Sequence, residues 1–493
     1  MVERSSSLAA APGGAVRQDT SEQVISLYRK TEKIHPRSVT GWFARWRWAL
    51  VFLTQLVFYG LPWWVWNGRQ AVLFDLGTRR FYLGGLVLHP QDFIYLAALL
   101  IVCACALFLF TAVAGRLWCG YACPQTVYTE LFLWVERRFE GDRTARVKLD
   151  AAPWHFGKLW RKGGKQAVWA VLALWTGFTF VGYFTPIRTL AAEGAAFALG
   201  PWEAFWVLFY AFATWGNAGY LREQVCKYMC PYARFQSAMF DRDTLIITYD
   251  AERGEPRGSR GRKVDPAAAG LGSCVDCKLC VHVCPVGIDI RDGLQYECIG
   301  CAACIDVCNG VMDKMNYPRG LVRYATQNGL EGHWSRAWMW RRAARPRVLV
   351  YTAVLGLMVA ALCTSLWLRA PFRVDVVRDR AALARVVDDG QVENVYRLQV
   401  MNATERPQSY RVAVGGLPGL AVAEVAGTAG AAAAFEIGPA DARWITVAVR
   451  QPPGAAQQAG SGAHPIVFTV EQRQSPAGDA AQVHEKSTFM VPR

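Results

Sequence analysis

Histidine is scarce in this chain of 493 residues, and the few present are poorly placed for a membrane cofactor. All seven histidines lie outside the stretches that are apolar enough to cross a bilayer. A b-type haem held between membrane helices is therefore disfavoured, and the missing Cys-x2-Cys-His motif argues against an attached c-type haem. The sequence also lacks a Gly-x-Gly-x-x-Gly run between a strand and a helix, so a dinucleotide-binding domain is not supported.

Charged residues are scarce as well. They make up 19% of the chain, whereas hydrophobic residues make up 53% and include 20 tryptophans. This composition excludes a disordered chain and argues against a single soluble enzyme, because it is typical of membrane proteins. The net charge of +15 is compatible with nucleic-acid binding only if the basic residues form a surface patch, so their position has to be examined.

Five stretches contain no Lys or Arg and approach the roughly 20 residues that a helix needs to cross ~30 Å of hydrocarbon. They are residues 48–66, 92–115, 166–185, 201–219 and 348–368. We therefore predict a polytopic membrane protein with five transmembrane helices.

The basic residues between these stretches alternate strictly between many and few. Lys and Arg number 8 in residues 1–47, 3 in 67–91, 10 in 116–165, 1 in 186–200 and 19 in 220–347. Because basic flanks stay in the cytoplasm, the N-terminus and the two other basic segments are predicted inside and the C-terminal tail outside. The predicted location is the bacterial inner membrane, with a periplasmic C-terminus. The positive charge is then a topology signal, and we expect no nucleic-acid partner.

The tail after residue 368 contains several short segments in which apolar and polar residues alternate. They are residues 395–401, 408–414, 443–449 and 465–470. Period-two alternation at regular spacing, with turn residues between the segments, predicts an immunoglobulin-like β-sandwich. The tail has no Cys and only two His, so a metal or catalytic site is not expected there. A partner-binding or scaffolding role is the plain interpretation.

Eight of the 15 cysteines form one block in which the same run occurs twice. The first run is Cys274-x2-Cys277-x2-Cys280-x3-Cys284-Pro285, and the second is Cys298-x2-Cys301-x2-Cys304-x3-Cys308. This is the bacterial ferredoxin pattern, in which the fourth Cys of each run binds the other cluster. We predict two [4Fe-4S] clusters, one held by Cys274, Cys277, Cys280 and Cys308 and the other by Cys298, Cys301, Cys304 and Cys284.

Other roles for this block are weaker. A zinc site commonly has a longer gap between its Cys-x2-Cys units, and disulfides would be reduced in the cytoplasm. One residue departs from the pattern, because Asn309 follows the second run where a proline is expected. The change removes no ligand but alters the surroundings of the first cluster.

A second cysteine pattern follows the second and fourth predicted helices. These motifs are Cys119-Gly-Tyr-Ala-Cys123-Pro124 and Cys226-Lys-Tyr-Met-Cys230-Pro231. A spacing of four places two thiols on one helix face, and the proline marks a disturbed helix. Such pairs can bind a soft ion such as Cu(I), be oxidised, or simply pack as small apolar side chains. If the two helix ends meet, four thiolates face one site.

This combination resembles the FixG/CcoG-type cytochrome c oxidase accessory proteins over nearly the whole chain. The features shared are five spans, two Cys-x3-Cys-Pro motifs, a double ferredoxin run and a C-terminal sandwich. The resemblance implies a role in assembling a haem-copper oxidase and in reducing Cu(II) to Cu(I). It also implies that Cys119, Cys123, Cys226 and Cys230 are the functional membrane positions, catalytic and copper-binding. Quinol-dehydrogenase relatives share these motifs but as a rule lack the sandwich.

Three functions are compatible with the residues. The first is a cupric reductase whose partners are oxidase assembly factors or a copper transporter or chaperone, with a cytoplasmic electron donor. The second is a respiratory subunit that oxidises quinol, in which the cysteine pairs are structural or line a quinone pocket. The third is an assembly scaffold without enzymatic activity. Clusters that each store one electron and no proton favour the first, since Cu(II) reduction is a one-electron step.

The predicted domains follow this order along the chain. They are a cytoplasmic segment (1–47), a four-helix membrane domain with the first cysteine pair (48–219), the second pair with a flexible linker (220–272), the two-cluster ferredoxin domain (273–310), a basic cytoplasmic segment (311–347), a fifth membrane helix (348–368) and the periplasmic sandwich (369–493).

Overall fold

The computed structural model describes residues 33–266, 268–380, 383–425, 434–473 and 481–492. Its contacts divide the chain into two units, Met1–Ile34 and His35–Arg493. Nearly all of the first unit lies outside the described residues, as does most of the predicted segment 1–47. The second unit contains every helix and strand of the described chain.

The helices of the described residues include six of 16 or more residues and ten shorter ones. They are α1 (Trp42–Gly60), α2 (Phe93–Ala114), α3 (Leu117–Tyr121), α4 (Pro124–Glu140), α5 (Arg143–Ala151), α6 (Phe156–Val181), α7 (Ile187–Ala195), α8 (Pro201–Gly216), α9 (Pro231–Met239), α10 (Ala251–Gly254), α11 (Leu279–His282), α12 (Ala303–Met315), α13 (Gln327–Glu331), α14 (Arg336–Arg341), α15 (Pro346–Trp367) and α16 (Pro453–Ala459). Two π-helical turns, Asn217–Leu221 and Val225–Met229, follow α8.

The strands lie between the membrane helices, in the cysteine block and in the tail. They are β1 (Val65–Trp66), β2 (Arg69–Gln70), β3 (Val72–Asp75), β4 (Arg80–Leu83), β5 (Leu86–Leu88), β6 (Ile246–Tyr249), β7 (Val322–Ala325), β8 (Phe372–Arg378), β9 (Arg385–Val386), β10 (Val392–Asn402), β11 (Gln408–Gly415), β12 (Ala421–Val425), β13 (Phe435–Ile437), β14 (Ala442–Gln451), β15 (Gly462–Gln472) and β16 (Gln482–Val491).

Each stretch predicted to cross the membrane forms a long helix, but two of the predicted bounds are wrong. Helix α1 begins at Trp42 and ends at Gly60, and a 3-10 turn, Leu61–Trp63, and strand β1 follow it. Pro62 has no backbone N–H, so the α-helical hydrogen-bond pattern cannot continue through it. Helix α6 begins at Phe156, and two lysines in its first half are paired with acidic residues, Lys162 with Asp150 at 2.5 Å and Lys165 with Glu140 at 2.8 Å.

Two of the long helices are sufficient by themselves to cross a bilayer. They lie within Pro90–Ala114 and Pro346–Trp367, and 0% and 6% of their most apolar stretches are covered by protein. Helix α8 has 16 residues, fewer than the ~20 that a span requires, although the π-helical turn continues it to Leu221. The chain is a membrane protein, and five spans remain a prediction.

Helix α1 starts directly on the cysteine block. Asp306 of α12 accepts hydrogen bonds from the backbone amides of Phe43 and Ala44, at 3.3 and 2.8 Å. A carboxylate at a helix N-terminus satisfies amides that have no partner inside the helix and complements the helix dipole. The contact joins α1 to the helix that carries Cys304 and Cys308.

The tail forms the predicted β-sandwich. One sheet has the strand order β12-β14-β10-β8, with β9 beside β10, and the other has the order β13-β11-β15-β16. The alternating segments of the sequence fall in β10, β11, β14 and β15, and their apolar residues fill a core between the sheets. The fully buried aromatic side chains of that core are Phe372, Tyr396, Tyr410, Phe468 and Phe489. The all-β prediction is therefore confirmed.

Ion pairs join this sandwich to the adjacent end of the membrane domain. Asp92, just before α2, is fully buried and is paired with Arg369 and with Arg373 of β8, the latter at 2.7 Å. Arg80 of the three-stranded β3-β4-β5 sheet pairs with Asp441 at 2.5 Å. Buried charges of opposite sign hold two elements in one orientation, because separating them leaves each uncompensated.

The segment predicted as a flexible linker, residues 250–272, packs on the cysteine block in its described part. The guanidinium of Arg260 donates to the carbonyl oxygens of Gly258, Gly272 and Cys274, at 3.2, 2.5 and 3.3 Å. An arginine can satisfy several carbonyls at once because its donors form a planar fork. This Gly/Arg-rich segment is therefore attached to the cysteine block, and the prediction of a flexible linker is wrong for its described residues.

We expect Asp92→Asn to destabilise the junction between membrane domain and sandwich. The substitution leaves Arg369 and Arg373 without their buried counter-charge, which typically costs about 3 kcal/mol. The purified protein should show a lower midpoint of thermal unfolding and faster proteolytic cleavage near residue 370. Asp375→Asn is the control, because this carboxylate only accepts a surface hydrogen bond from Gln91. Equal effects of the two substitutions would contradict the proposed role of Asp92.

Candidate functional site: two cysteine cradles beside paired thiols

The two ferredoxin-type runs adopt the same backbone conformation. The residue before the second Cys is left-handed in both runs, Asp276 with φ 49° and Gly300 with φ 70°. The residue after that Cys is also left-handed, Lys278 with φ 53° and Ala302 with φ 59°. A left-handed conformation is uncommon for residues other than glycine, so its recurrence at equivalent positions shows that the sequence repeat is a structural repeat.

The first cradle, site one, is a partly open space within the cysteine block. Four cysteines line it, namely Cys274, Cys277, Cys280 and Cys308. The first three come from the first run, and Cys308 comes from the end of the second. Cys277 is exposed to solvent, so site one lies near the surface.

The second cradle, site two, is a separate space within the cysteine block. Cys298, Cys301 and Cys304 of the second run line it together with Cys284, the last cysteine of the first run. Cys280 borders this space as well. The structure thus brings each run together with the final cysteine of the other, which is the exchange that the ferredoxin pattern predicts.

The donor atoms suit iron-sulfur clusters. Burial raises the pKa of Cys280 and Cys298 to about 11 and of Cys284 and Cys308 to about 12. Without a metal these thiols would carry protons at neutral pH, and a bound cation is what stabilises the thiolate form. Four soft sulfur donors around each cradle fit [4Fe-4S] clusters, which would store and pass one electron each when bound.

Asn309, which stands where a proline is expected, has a structural partner. Its side-chain oxygen accepts a hydrogen bond from the backbone amide of Gly320 at 3.0 Å. Gly320 leads into β7, whose first residue Val322 lines site one. Asn309 therefore links the end of the second run to one wall of site one.

The two Cys-x3-Cys-Pro motifs lie where their helices are interrupted. Cys119 is within α3, whereas Cys123 has an extended backbone and precedes Pro124 at the start of α4. Cys226 lies in a π-helical turn, and Cys230 is extended before α9. The expectation of two thiols on one helix face is therefore wrong for both motifs, since proline forces the residue before it out of helical geometry.

Side chains from each motif region brace the other. Gln125 donates to the backbone carbonyls of Asn217 and Arg222, at 2.9 and 3.1 Å, before the second motif. In return, the Cys119 thiol donates to the side-chain oxygen of Gln236 in α9 at 3.4 Å. These bonds hold the two interrupted helix ends next to each other, as the sequence hypothesis of a common site requires.

A buried cluster of charges fixes the approach to the second motif. Glu136 of α4 pairs with Arg146 at 3.0 Å, with Arg222 at 2.9 Å and with Lys165 at 3.6 Å. Arg222 itself is left-handed, with φ 36°, and stands four residues before Cys226. A buried carboxylate with several cationic partners resists displacement, so it holds this strained turn in place.

Both motifs are packed against site two. Cys119 and Cys226 contact the apolar core around that cradle, which consists of Val283, Val286, Ile288, Ile299, Cys301 and Ala303. Gly120 lies so close to Gly300 that an added Cβ would stand 2.8 Å from the Gly300 carbonyl. Arg47 also donates to the Cys301 carbonyl at 3.3 Å. The Cys119 and Cys226 thiols and the cysteines of site two therefore lie in one packed region.

Arg116 is the positive charge within this arrangement. It is 5% exposed and donates to the carbonyl of Ala233. Burial raises the pKa of the Cys119 thiol to about 12 and of the Cys226 thiol to about 11, and the Arg116 guanidinium opposes both increases. It acts in the same direction on Cys298 of site two. Arg116 thus favours negative charge on both sides of the contact.

A closed site for one metal ion is not preformed here. Among the described residues, no three His, Cys, Asp or Glu side chains lie close enough together to hold a single ion. A cubane is larger than one ion, so this does not count against the two cradles. For Cys119, Cys123, Cys226 and Cys230, the same finding means that the four thiols do not converge on a single point.

Sequence reasoning missed Gln125, Gln236, Arg116 and Arg222. A signal for the arginines was present, because Arg116 stands three residues before Cys119 and Arg222 four before Cys226. An arginine thus precedes each motif, although its spacing from the first cysteine differs by one residue, whereas the proline directly follows the second cysteine in both. The glutamines have no such signal, since their partners are backbone carbonyls and a thiol brought close only by folding.

Three family profiles match parts of this chain. A 4Fe-4S dicluster domain matches residues 221–327, and a 4Fe-4S binding domain matches residues 96–141. The immunoglobulin-like fold at the C-terminal of FixG matches residues 362–492. The chain is therefore an iron-sulfur protein with a C-terminal immunoglobulin-like domain.

Curated relatives match most of the chain. The nitrogen fixation protein FixG of Rhizobium meliloti (strain 1021) is 38% identical over 434 residues, covering 82% of this chain and 83% of the relative. Protein RdxB of Cereibacter sphaeroides is 40% identical over 401 residues, covering 80% and 84%. A crystal structure of a FixG-related protein from Vibrio parahaemolyticus covers 25% of this chain and 97% of its own, with 22% identity and a TM-score of 0.20.

The exchange of final cysteines between the runs can be tested with two substitutions. Cys308→Ser should remove the cluster of site one and Cys284→Ser that of site two, because each side chain lines the cradle of the other run. Each variant should retain about half of the roughly eight irons and eight sulfides per chain.

The two variants should also leave different residual clusters, which electron paramagnetic resonance of the reduced protein can distinguish. Cys103→Ser, on the exposed side of α2, is the control and should keep both clusters. If Cys284→Ser damaged the cluster held by Cys274 and Cys277, the assignment of the two sites would be wrong.

Proposed function

We propose that this chain, which belongs to the FixG family of membrane iron-sulfur proteins, reduces Cu(II) to Cu(I) for the assembly of a haem-copper cytochrome c oxidase. The observation that carries the proposal is the packing of Cys119 and Cys226 against the core of site two. Soft ligands for copper and ligands for a one-electron cofactor thereby lie side by side.

The proposal includes a defined orientation in the bacterial inner membrane. Helices α1, α2, α6, α8 and α15 would cross the bilayer, with the N-terminus and both cradles in the cytoplasm and the sandwich in the periplasm. The alternating Lys and Arg counts of the connecting segments support this orientation. The sandwich and the cysteine block also lie at opposite ends of α2 and α15, as the orientation requires.

Copper would be bound by pairs of thiolates. Cu(I) is stable with two sulfur ligands, so a site for it does not need three converging side chains. Cys119, Cys123, Cys226 and Cys230 supply two such pairs, braced together by Gln125 and Gln236. Because burial holds the pKa of Cys119 and Cys226 near 12 and 11, copper must displace their protons. Binding should therefore release protons and strengthen as the pH rises.

The partners follow from this division of the molecule. Copper delivered or received by a transporter, a chaperone or an oxidase assembly factor would meet the protein at its membrane thiols or its outer sandwich. Electrons would come from a donor on the cytoplasmic side, where Cys277 of site one is exposed. We expect no nucleic-acid partner, because the basic residues follow the predicted membrane topology.

Orientation is tested by fusing a reporter enzyme that is active only outside the cytoplasm. Fusion after Arg493 should give activity, whereas insertion near residue 260 should give none, since the basic segment 220–347 stays inside. A reporter that folds only in the cytoplasm should give the opposite pattern at both positions. Activity near residue 260 from the first reporter would overturn the orientation.

The copper role is tested with Cys226→Ser/Cys230→Ser. Serine keeps the size of cysteine but is a far poorer ligand for Cu(I), so the variant should lose Cu(I) binding and Cu(II) reduction. Iron content, sulfide content and bleaching by dithionite should remain, because neither residue lines the cradles.

The assay measures Cu(I) formed anaerobically by protein that dithionite has first reduced. Cys363→Ser is the matched control, since this thiol is exposed on α15. Copper reduction at the wild-type rate in the double variant would remove the thiols from the mechanism. A wild-type protein with reducible clusters and no copper reduction would favour the scaffold function instead.

A further inference from the structure

A cavity of about 540 Å³ lies between the cysteine block and the ends of three membrane helices. Trp42 begins α1, Val113 is near the end of α2, and Ala343 stands just before α15, and all three line the cavity. In the proposed orientation these positions are at the cytoplasmic surface of the bilayer. The cavity is distinct from both cradles, and neither cysteine pair lines it.

The cavity shares a wall with site one. Val322 of β7 lines both spaces, so one side chain separates a ligand in the cavity from the first cradle. Asn309 also lines the cavity and directly follows Cys308, a cysteine of site one. Ile305 completes this wall and packs in the same core as Cys274. A redox-active ligand in the cavity would thus adjoin site one.

The lining combines flat apolar surfaces with a few polar groups. Trp42, Phe43 and Tyr324 provide aromatic surface. Asn309 uses its side-chain oxygen for the Gly320 amide, so its NH₂ group is the part that can donate to a ligand. Arg323 also lines the cavity; its Nη1 is bonded to the Gly320 carbonyl and to Asp250, so its other guanidinium nitrogens are the second set of donors. Mostly apolar walls with a small number of polar groups are typical of sites for small cofactors.

We propose that this cavity binds the ring of an isoprenoid quinol, the donor that delivers electrons on the site-one side. The inference rests on the proposed function and names its electron donor. A ring with two oxygens on opposite edges suits aromatic walls and separate donors. An isoprenoid tail could leave between the ends of α1, α2 and α15 into lipid. A soluble donor would need no opening at membrane helix ends.

The electrons and protons balance with the residues present. Oxidation of one quinol to quinone releases two electrons and two protons, and clusters held by the cysteines of sites one and two would together accept both electrons, one each. Two Cu(II) ions then become two Cu(I). The protons pass from the quinol hydroxyls to cytoplasmic water, with the Asp243 carboxylate in the cavity lining as an acceptor on the way.

The test uses the full chain with its clusters, in lipid nanodiscs, and decylubiquinone as the probe. Ala343→Trp places a large ring in the cavity without touching a cysteine cradle and should weaken probe binding at least about tenfold. Ala344→Trp is the matched control, because the neighbouring Ala344 is exposed and does not line the cavity. Binding is measured by equilibrium titration, independently of any activity.

A second measurement follows cluster bleaching by decylubiquinol. Wild type and Ala344→Trp should bleach, and Ala343→Trp should not, although dithionite should bleach all three. Copper reduction by dithionite-reduced Ala343→Trp should equal that of wild type, so loss of copper reduction in every protein would count against the proposed function and not against this site.

Two results would overturn the quinol site. The first is an absence of probe binding and quinol bleaching in wild type. The second is equal binding in Ala343→Trp and Ala344→Trp, which would place the probe elsewhere. If Ala343→Trp instead lost a co-purified anionic phospholipid while quinol bleaching persisted, the cavity would be a lipid site and the proposal would be wrong.

Discussion

The contact between Gly120 and Gly300 is the constraint on which the functional arrangement depends. An added Cβ at Gly120 would stand 2.8 Å from the Gly300 carbonyl, closer than side-chain carbons approach in proteins. Because neither residue has a side chain, the loop of site two can lie directly on the helix that carries Cys119. The hydrogen bond from Tyr324 to the Gly300 carbonyl, at 2.7 Å, fixes the same loop from the other side. Without this approach, a layer of side chains would separate the membrane thiols from site two.

Buried polar groups stabilise the uncommon backbone conformations that bring the two cysteine motifs together. The π-helical turns and the left-handed Arg222 are uncommon conformations, and Glu136 with its cationic partners keeps them in place. Gln125 and Gln236 then satisfy polar groups that the interrupted helices leave open. Irregular backbone near a membrane is tolerated where protein groups satisfy its open hydrogen-bonding positions. The hydrogen bonds of Gln125 and Gln236 are therefore what the interrupted helices require.

Much of this architecture could be predicted from the sequence, because it depends on local patterns. Alternation in the tail indicated the sandwich, and the tandem run of eight cysteines indicated two clusters and the exchange of Cys284 and Cys308. The predicted helix bounds were less accurate. Lys165 lies inside α6, where it forms an ion pair with Glu140, and this pair cannot be read from the sequence. The packing of Cys119 and Cys226 on site two could not be predicted from the sequence either. It depends on contacts between residues far apart in the chain, which periodicity and spacing do not encode.

The exposure of Cys277 has a consequence for the symmetry of the cysteine block. Two runs of nearly the same pattern and backbone form the two cradles, yet one cradle borders water and the other is covered by α1 and α3. Cluster reduction potential depends on solvent exposure and on nearby charge. Enclosure lowers the potential of a cluster that becomes more negative on reduction, whereas the positive charge of Arg116 beside Cys298 raises it. Clusters bound in the two cradles would therefore have different surroundings, and so different reduction potentials, although the two runs share one sequence pattern.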